Sequence, residues 1–189
     1  MLEAFFVSMA VVALGEIGDK TQLLSLVLAA RFRQPWPILG GILAATLVNH
    51  TLAGALGAWL RTVVPPEALQ WLVALSFFAV AIWALFPDSI DESTTATSRL
   101  GVFTVTTISF FLAEMGDKTQ IATAILAARF DSLVAVVAGT TLGMLAADVP
   151  VVFLGKFAGG RLPLTAIRIA ASITFLALGV WALLVDVGR

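Results

Sequence analysis

Two copies of one charged heptapeptide carry the residues of this chain that could do chemistry. Residues 16–22 read EIGDKTQ and residues 114–120 read EMGDKTQ, and both copies lie within long apolar segments. Each ionisable side chain that faces lipid at a helix centre costs roughly 2.5–3.5 kcal/mol. Six such side chains would cost more than the whole folding stability of many domains. We therefore expect the charges to face inward, to pair with one another, and to bind a ligand or change protonation.

The acidic residues of the two copies are candidate ligands for a divalent cation. On a continuous helix, Glu16, Asp19 and Lys20 would share one face, and the second copy would form an equivalent face. Bringing the two faces together would assemble four carboxylates, and carboxylate oxygens are ligands that Ca²⁺ and Mn²⁺ prefer. The predicted metal ligands are Glu16, Asp19, Glu114 and Asp117.

The other polar residues of the motifs are predicted to support this site. The threonines and glutamines would add neutral oxygens, but the threonines reach the site only if the helix is distorted. A glycine between two acids permits that distortion, because it allows local unwinding that frees carbonyl groups. The predicted supporting residues are Lys20, Thr21, Gln22, Lys118, Thr119 and Gln120, and the predicted points of distortion are Gly18 and Gly116.

Three polar residues in other apolar segments are further candidates. Asp148 lies 98 positions after His50, which follows Asn49. These residues could form a gate, a proton relay or an auxiliary ligand set. Equally, they could hydrogen-bond neighbouring helices to each other.

The charge balance of the motifs suits exchange of a metal ion for protons. Four carboxylates and two lysines leave two negative charges, which one divalent cation or two protons would neutralise. Buried carboxylates that repel one another bind protons more readily than exposed ones, so metal and protons would compete. The alternative is that the charges form purely structural salt bridges. The duplication and the surplus of acids disfavour that alternative.

Composition places these motifs in an integral membrane domain. The 189 residues are 60% hydrophobic and 12% charged, with a mean hydropathy of +1.02, which is too apolar for a soluble domain of this size. A net charge of −1 excludes a nucleic-acid footprint. The absence of cysteine and the single histidine exclude thiolate and histidine-cluster metal sites, so we expect no permanent cofactor. The N-terminus lacks a basic region, so we expect no cleaved signal peptide.

Hydropathy predicts an all-α membrane protein with six transmembrane helices arranged as two inverted three-helix repeats. An offset of 98 residues aligns the two halves without gaps. Because each half holds an odd number of spans, the second half enters the membrane from the opposite side, and the substrate is then expected at the midplane between the repeats. The predicted spans are 3–30, 36–61, 67–87, 99–129, 132–157 and 164–186. The repeats are 1–87 and 99–189, joined by a polar linker at 88–98.

Membrane orientation follows from the distribution of basic residues. The side that holds the linker carries more arginine and lysine than the opposite side. The positive-inside rule then places the linker in the cytoplasm and both termini outside.

The paired Glu-x-Gly-Asp-Lys-Thr motifs, one in each half, closely resemble those of the Gdt-type family of small membrane Ca²⁺/Mn²⁺–proton antiporters. This family shows distant kinship with the lysine-exporter-like superfamily. The resemblance implies transport of Mn²⁺ or Ca²⁺ coupled to protons as the counter-ion, with Mn²⁺ export common among bacterial members. The short linker and the lack of a targeting extension resemble bacterial members, which implies the inner membrane. The sequence leaves the oligomeric state open, with a homodimer as one alternative.

Two other functions share parts of the pattern. An intramembrane aspartyl protease could use Asp19 and Asp117 as its dyad, although residue 16 is Glu where the usual Gly-x-Gly-Asp motif has Gly. An exporter of lysine or another small organic cation would share the acidic cavity but would need a larger pocket.

Overall fold

The described part of the chain is entirely helical. The computed structural model describes residues 1–83, 85, 101–154 and 164–184, and no strand occurs among them. The predicted all-α class is thereby confirmed. The described residues form eight helices: α1 (Leu2–Glu16), α2 (Lys20–Phe32), α3 (Pro35–Val63), α4 (Pro66–Trp83), α5 (Val102–Glu114), α6 (Lys118–Arg129), α7 (Leu133–Leu154) and α8 (Leu164–Leu184).

The helices outnumber the predicted spans because two spans are broken at the charged motifs. The span predicted at 3–30 is divided into α1 and α2, and the span at 99–129 into α5 and α6. The other four spans correspond to α3, α4, α7 and α8, while the linker at 88–98 lies outside the described residues. Of the described helices, α3 and α7 are each long and apolar enough to cross a membrane.

The internal repeat is visible in where the helices begin and in how they pack. Helices α2, α3 and α4 begin 98 residues before α6, α7 and α8 respectively. The main contacts join the halves, since α1 packs against α7, α3 against α5, and α4 against α8. The helix that leads into each motif is therefore held by a long helix of the other half.

Glycines allow the backbones of these helix pairs to touch. A Cβ atom on Gly41 of α3 would lie 2.8 Å from the carbonyl oxygen of Phe103 in α5. A Cβ atom on Gly139 of α7 would lie 2.4 Å from the carbonyl oxygen of Phe5 in α1. The two contacts are equivalent under the 98-residue offset. Such close backbone approach at glycines is common between membrane helices.

Two apolar clusters hold the helices around the motifs. One joins α4, α6 and α8 with parts of α1 and α7 and includes Phe77 and Phe175, whose rings stack with centroids 6.4 Å apart. The other joins α2, α3 and α5 with other parts of α1 and α7 and includes Ile42 and Phe110. Each cluster draws helices from both halves, so packing fixes the two motifs relative to each other.

Candidate cation site

Each charged motif forms a tight turn between two helices. Ile17 has φ −62° and ψ 116°, Gly18 has φ +82°, and the Asp19 amide donates to the Glu16 carbonyl over 3.0 Å. These are the features of a type II turn, which requires positive φ at its third residue and so favours glycine. The corresponding angles in the second copy are −63°, 119° and +75°. Both helices are therefore interrupted at the glycines where the sequence predicted a distortion.

The turn corrects the expectation that the motif side chains share one face of a continuous helix. Glu16 is the last residue of α1, whereas Asp19 is the N-cap of α2. Helical periodicity does not extend through the non-helical residues between them. The turn, rather than helical spacing, brings these acids and Lys20 together.

The motif threonines and glutamines hold the turn and the glutamates in place. The Thr21 hydroxyl donates to the Glu16 carboxylate, and the Gly18 amide donates to Gln22 Oε1 over 2.8 Å. The bond to Gln22 satisfies a backbone amide that the helix break would otherwise leave unpaired, and the bond from Thr21 fixes the Glu16 side chain. The second copy repeats them, from Thr119 to Glu114 and from Gly116 to Gln120.

The lysines pair with aspartates across the two halves. Lys20 Nζ lies 2.9 Å from Asp117 Oδ1, and Lys118 forms the reciprocal pair with Asp19. Both aspartates are buried, so each ion pair offsets part of the free energy that the carboxylate loses when water is removed from it. The sequence predicted inward-facing lysines. Only the fold shows that each lysine pairs with the aspartate of the other half.

Three of the four motif carboxylates converge closely enough to hold one metal ion. Glu16, Asp19 and Asp117 each offer an oxygen, and these oxygens lie within 4.8 Å of one another. Glu114 is also buried but falls outside this group. Among the described residues, Glu16 Oε1 and Glu114 Oε2 have no hydrogen-bond partner. Two glutamate oxygens in the interior are therefore available to a ligand.

The long helices α3 and α7 bring their polar candidates to the same region. His50 Nε2 lies 3.7 Å from Glu114 Oε1, and the amide of Asn49 donates to the Phe111 carbonyl over 3.1 Å. Asp148 is fully buried and accepts a bond from Ser25 Oγ at 2.5 Å. Asn49 thus joins two helices, as one of the alternatives predicted. The roles of Asp148 and His50 in gating or relay stay predictions.

Sequence reasoning missed Ser25 as a member of this region. Its hydroxyl is the hydrogen-bond donor to Asp148. The signal was present in the repeat, since Thr123 occupies the equivalent position, one helical turn after its own motif. Ser25 in α2 and Thr123 in α6 both carry a hydroxyl near the motif, and this repetition indicates a buried polar environment.

Replacing Lys20 with methionine is expected to destabilise the protein by about 3 kcal/mol, because it leaves the buried Asp117 carboxylate without its cation. The midpoint of thermal unfolding in detergent measures the loss. Adding Asp117→Asn to the same protein should recover part of it, while Arg33→Met at an exposed position is the control. Equal unfolding midpoints for K20M and the unaltered protein would show that the ion pair is not stabilising.

Comparisons with known proteins identify the family of this chain. The sequence profile described as "Divalent cation/proton antiporter GDT1" matches residues 4–92 and 102–189, one match in each half. A Vibrio cholerae protein named "Putative manganese exporter" is 48% identical over 177 residues, covering 93% of this chain and 88% of the relative. "GDT1-like protein sll0615" of Synechocystis is 29% identical over 194 residues, covering 93% and 94%. No solved structure matches significantly. The chain therefore belongs to the GDT1 family of divalent cation/proton antiporters, which are membrane transporters and not enzymes.

Proposed function

We propose that this protein exports Mn²⁺ across a bacterial inner membrane in exchange for protons. Glu16, Asp19, Asp117 and Glu114 would bind the cation. The observation that carries the proposal is the buried group of three carboxylates drawn from both halves of the chain. The Vibrio cholerae relative named as a manganese exporter supports Mn²⁺ as the cargo.

The spacing of the carboxylates favours a bare metal ion over an organic cation. Oxygens within 4.8 Å of one another match the separation of opposed ligands that each lie about 2.3 Å from a central ion. A lysine or polyamine substrate needs a wider cavity. The Thr21 and Thr119 hydroxyls occupy one oxygen of Glu16 and Glu114, and the other oxygen remains for the ion.

Metal and protons would alternate at these oxygens. Two of the four acids are paired with lysines, so the remaining charge is balanced by one divalent cation or by two protons. Either form would be electrically neutral, and a neutral site avoids the cost of carrying net charge through the bilayer. A proton gradient would then drive cation release by titrating the same carboxylates.

We place the site in a bilayer spanned by six segments in two inverted repeats, comprising residues 1–87 and 99–189. Trp36 and Trp59, both largely exposed, lie near opposite ends of α3, about 35 Å apart at 1.5 Å per residue. This separation suits tryptophans at the two interfaces of a hydrocarbon core of about 30 Å. Exposed leucines between them, including Leu47 and Leu52, would face lipid. The linker at 88–98 would lie in the cytoplasm, and a homodimer stays a prediction.

The aspartyl protease alternative is disfavoured by the ion pairs. A protease dyad requires two carboxylates that share a proton. Asp19 and Asp117 instead each bind a lysine from the other half, so both carboxylates are engaged with cations rather than with each other.

Transport by the purified protein in liposomes tests the proposal. Mn²⁺ should accumulate in proteoliposomes whose lumen is more acidic than the bath, because outward proton flow drives cation entry. Collapsing the pH gradient with an ionophore should abolish this accumulation, and Ca²⁺ and Mg²⁺ should be compared under the same gradient. Liposomes without protein are the control. Mn²⁺ flux that ignores the pH gradient would contradict proton exchange, and no flux of any of the three ions would contradict cation transport.

A further inference from the structure

His50 is a buried histidine without a described hydrogen-bond partner. The residue lies in the middle of α3 and is fully buried. Neither of its ring nitrogens has a hydrogen-bond partner among the described residues. A buried polar group without a partner costs about 1–3 kcal/mol. A histidine held there without a protein partner is expected where something else binds it.

The distance from His50 to Glu114 suits a shared metal ion better than a hydrogen bond. The 3.7 Å between Nε2 and Glu114 Oε1 is too long for a hydrogen bond. An ion about 2.1–2.4 Å from each of two ligands, at an angle of about 110°, separates the ligand atoms by roughly 3.4–3.9 Å. Glu114 Oε1 also accepts the bond from the Thr119 hydroxyl, but a carboxylate oxygen has two lone pairs and can accept one hydrogen bond while binding an ion. The second oxygen of Glu114, Oε2, has no described partner, so the carboxylate keeps capacity for a cation.

The second half of the repeat has no counterpart to the imidazole of His50. Position 50 corresponds to Asp148 under the 98-residue offset, and His50 is the single histidine of the sequence. Among the described residues, the other titratable side chains at the motifs, including those on α3 and α7, are carboxylates and lysines. The two halves thus supply similar oxygens but differ in one nitrogen.

We propose that His50 ligates the transported cation through nitrogen and thereby makes the site favour Mn²⁺ over Ca²⁺. Ca²⁺ takes almost exclusively oxygen ligands. Mn²⁺ also prefers oxygen, but as a first-row transition metal it binds imidazole nitrogen more readily than Ca²⁺ does. Asn49, bonded to the Phe111 carbonyl beside the second motif, holds this part of α3 against the end of α5. This inference rests on the proposed cation transport and adds the basis of its selectivity.

Replacing His50 with glutamine tests the inference, because an amide oxygen can stand near the position of Nε2. In proteoliposomes supplied with both ions at one pH, the ratio of Mn²⁺ to Ca²⁺ transport should fall by about tenfold. Ile42→Leu is the matched control, since Ile42 is also buried in α3 but carries no polar group. That control should leave the ratio unchanged. An unchanged ratio in H50Q, with transport retained, would overturn the assignment.

A measurement on the unaltered protein gives an answer even if H50Q does not fold. Electron spin-echo envelope modulation of bound Mn²⁺ should show coupling to an imidazole nitrogen. Bound Mn²⁺ without nitrogen coupling would overturn the role of His50 and leave the proposed transport intact. Failure of the unaltered protein to bind or transport Mn²⁺ would instead overturn the proposed function itself.

Discussion

Replacing Glu16 with glutamine is expected to lower Mn²⁺ transport by roughly 100-fold or more while the protein still folds. Glutamine keeps the size of the side chain, and its carbonyl oxygen can still accept the bond from the Thr21 hydroxyl. What is lost is one negative charge and one strong oxygen ligand in the three-carboxylate group. Initial rates of Mn²⁺ uptake in proteoliposomes under a pH gradient measure the effect.

The size of this effect comes from burial. Glu16 is 0% exposed, so water cannot replace the missing carboxylate as a ligand. An uncharged amide also cannot take up and release a proton, and the exchange would lose one of its coupled steps. Glu114→Gln should give a comparable loss, because the second turn repeats the first.

A surface glutamate supplies the matched control. Glu67 at the start of α4 is exposed, and Glu67→Gln should transport Mn²⁺ normally. The variants also separate the exchanger from a protease, since a protease should tolerate the changes at Glu16 and Glu114 and lose activity only with Asp19→Asn or Asp117→Asn. Normal Mn²⁺ flux in a folded E16Q protein would remove Glu16 from the site.

Replacing Gly57 with alanine is expected to destabilise the protein by about 3 kcal/mol or more. A Cβ atom at Gly57 in α3 would lie 1.9 Å from the carbonyl oxygen of Ala124 in α6. The clash is with backbone, so rotation of a side chain cannot relieve it, and the two helices must separate. We expect a lower midpoint of thermal unfolding and a lower yield of monodisperse protein in detergent.

The same helix offers a control for this substitution. A Cβ atom at Gly40 would meet only the Phe103 ring, at 3.4 Å. Gly40→Ala therefore makes the same chemical change in α3 without a backbone clash. Its unfolding midpoint should stay close to that of the unaltered protein. If G57A and G40A were equally stable, the close approach of α3 to α6 would be wrong.

Local sequence features predicted where the helices break but not how the break arranges the acids. Gly18 and Gly116 were predicted as points of distortion, because a residue without a Cβ atom tolerates positive φ, and both turns have it. The assumption that Glu16 and Asp19 share a helical face failed for the same reason. A turn that restarts the helix cancels the periodicity on which the assumption depended.

The sequence by itself determined that this chain is an all-helical protein with two copies of one buried, charged site. That conclusion needed only the cost of placing charge among apolar residues and the 98-residue repeat, both of which are readable along the chain. The tertiary structure alone decided that Lys20 pairs with Asp117, that oxygens of three of the four acids lie within 4.8 Å of one another, and that His50 lies beside the fourth, Glu114. These are contacts between helices far apart in sequence. Because they depend on how the two halves pack, no local pattern of residues encodes them.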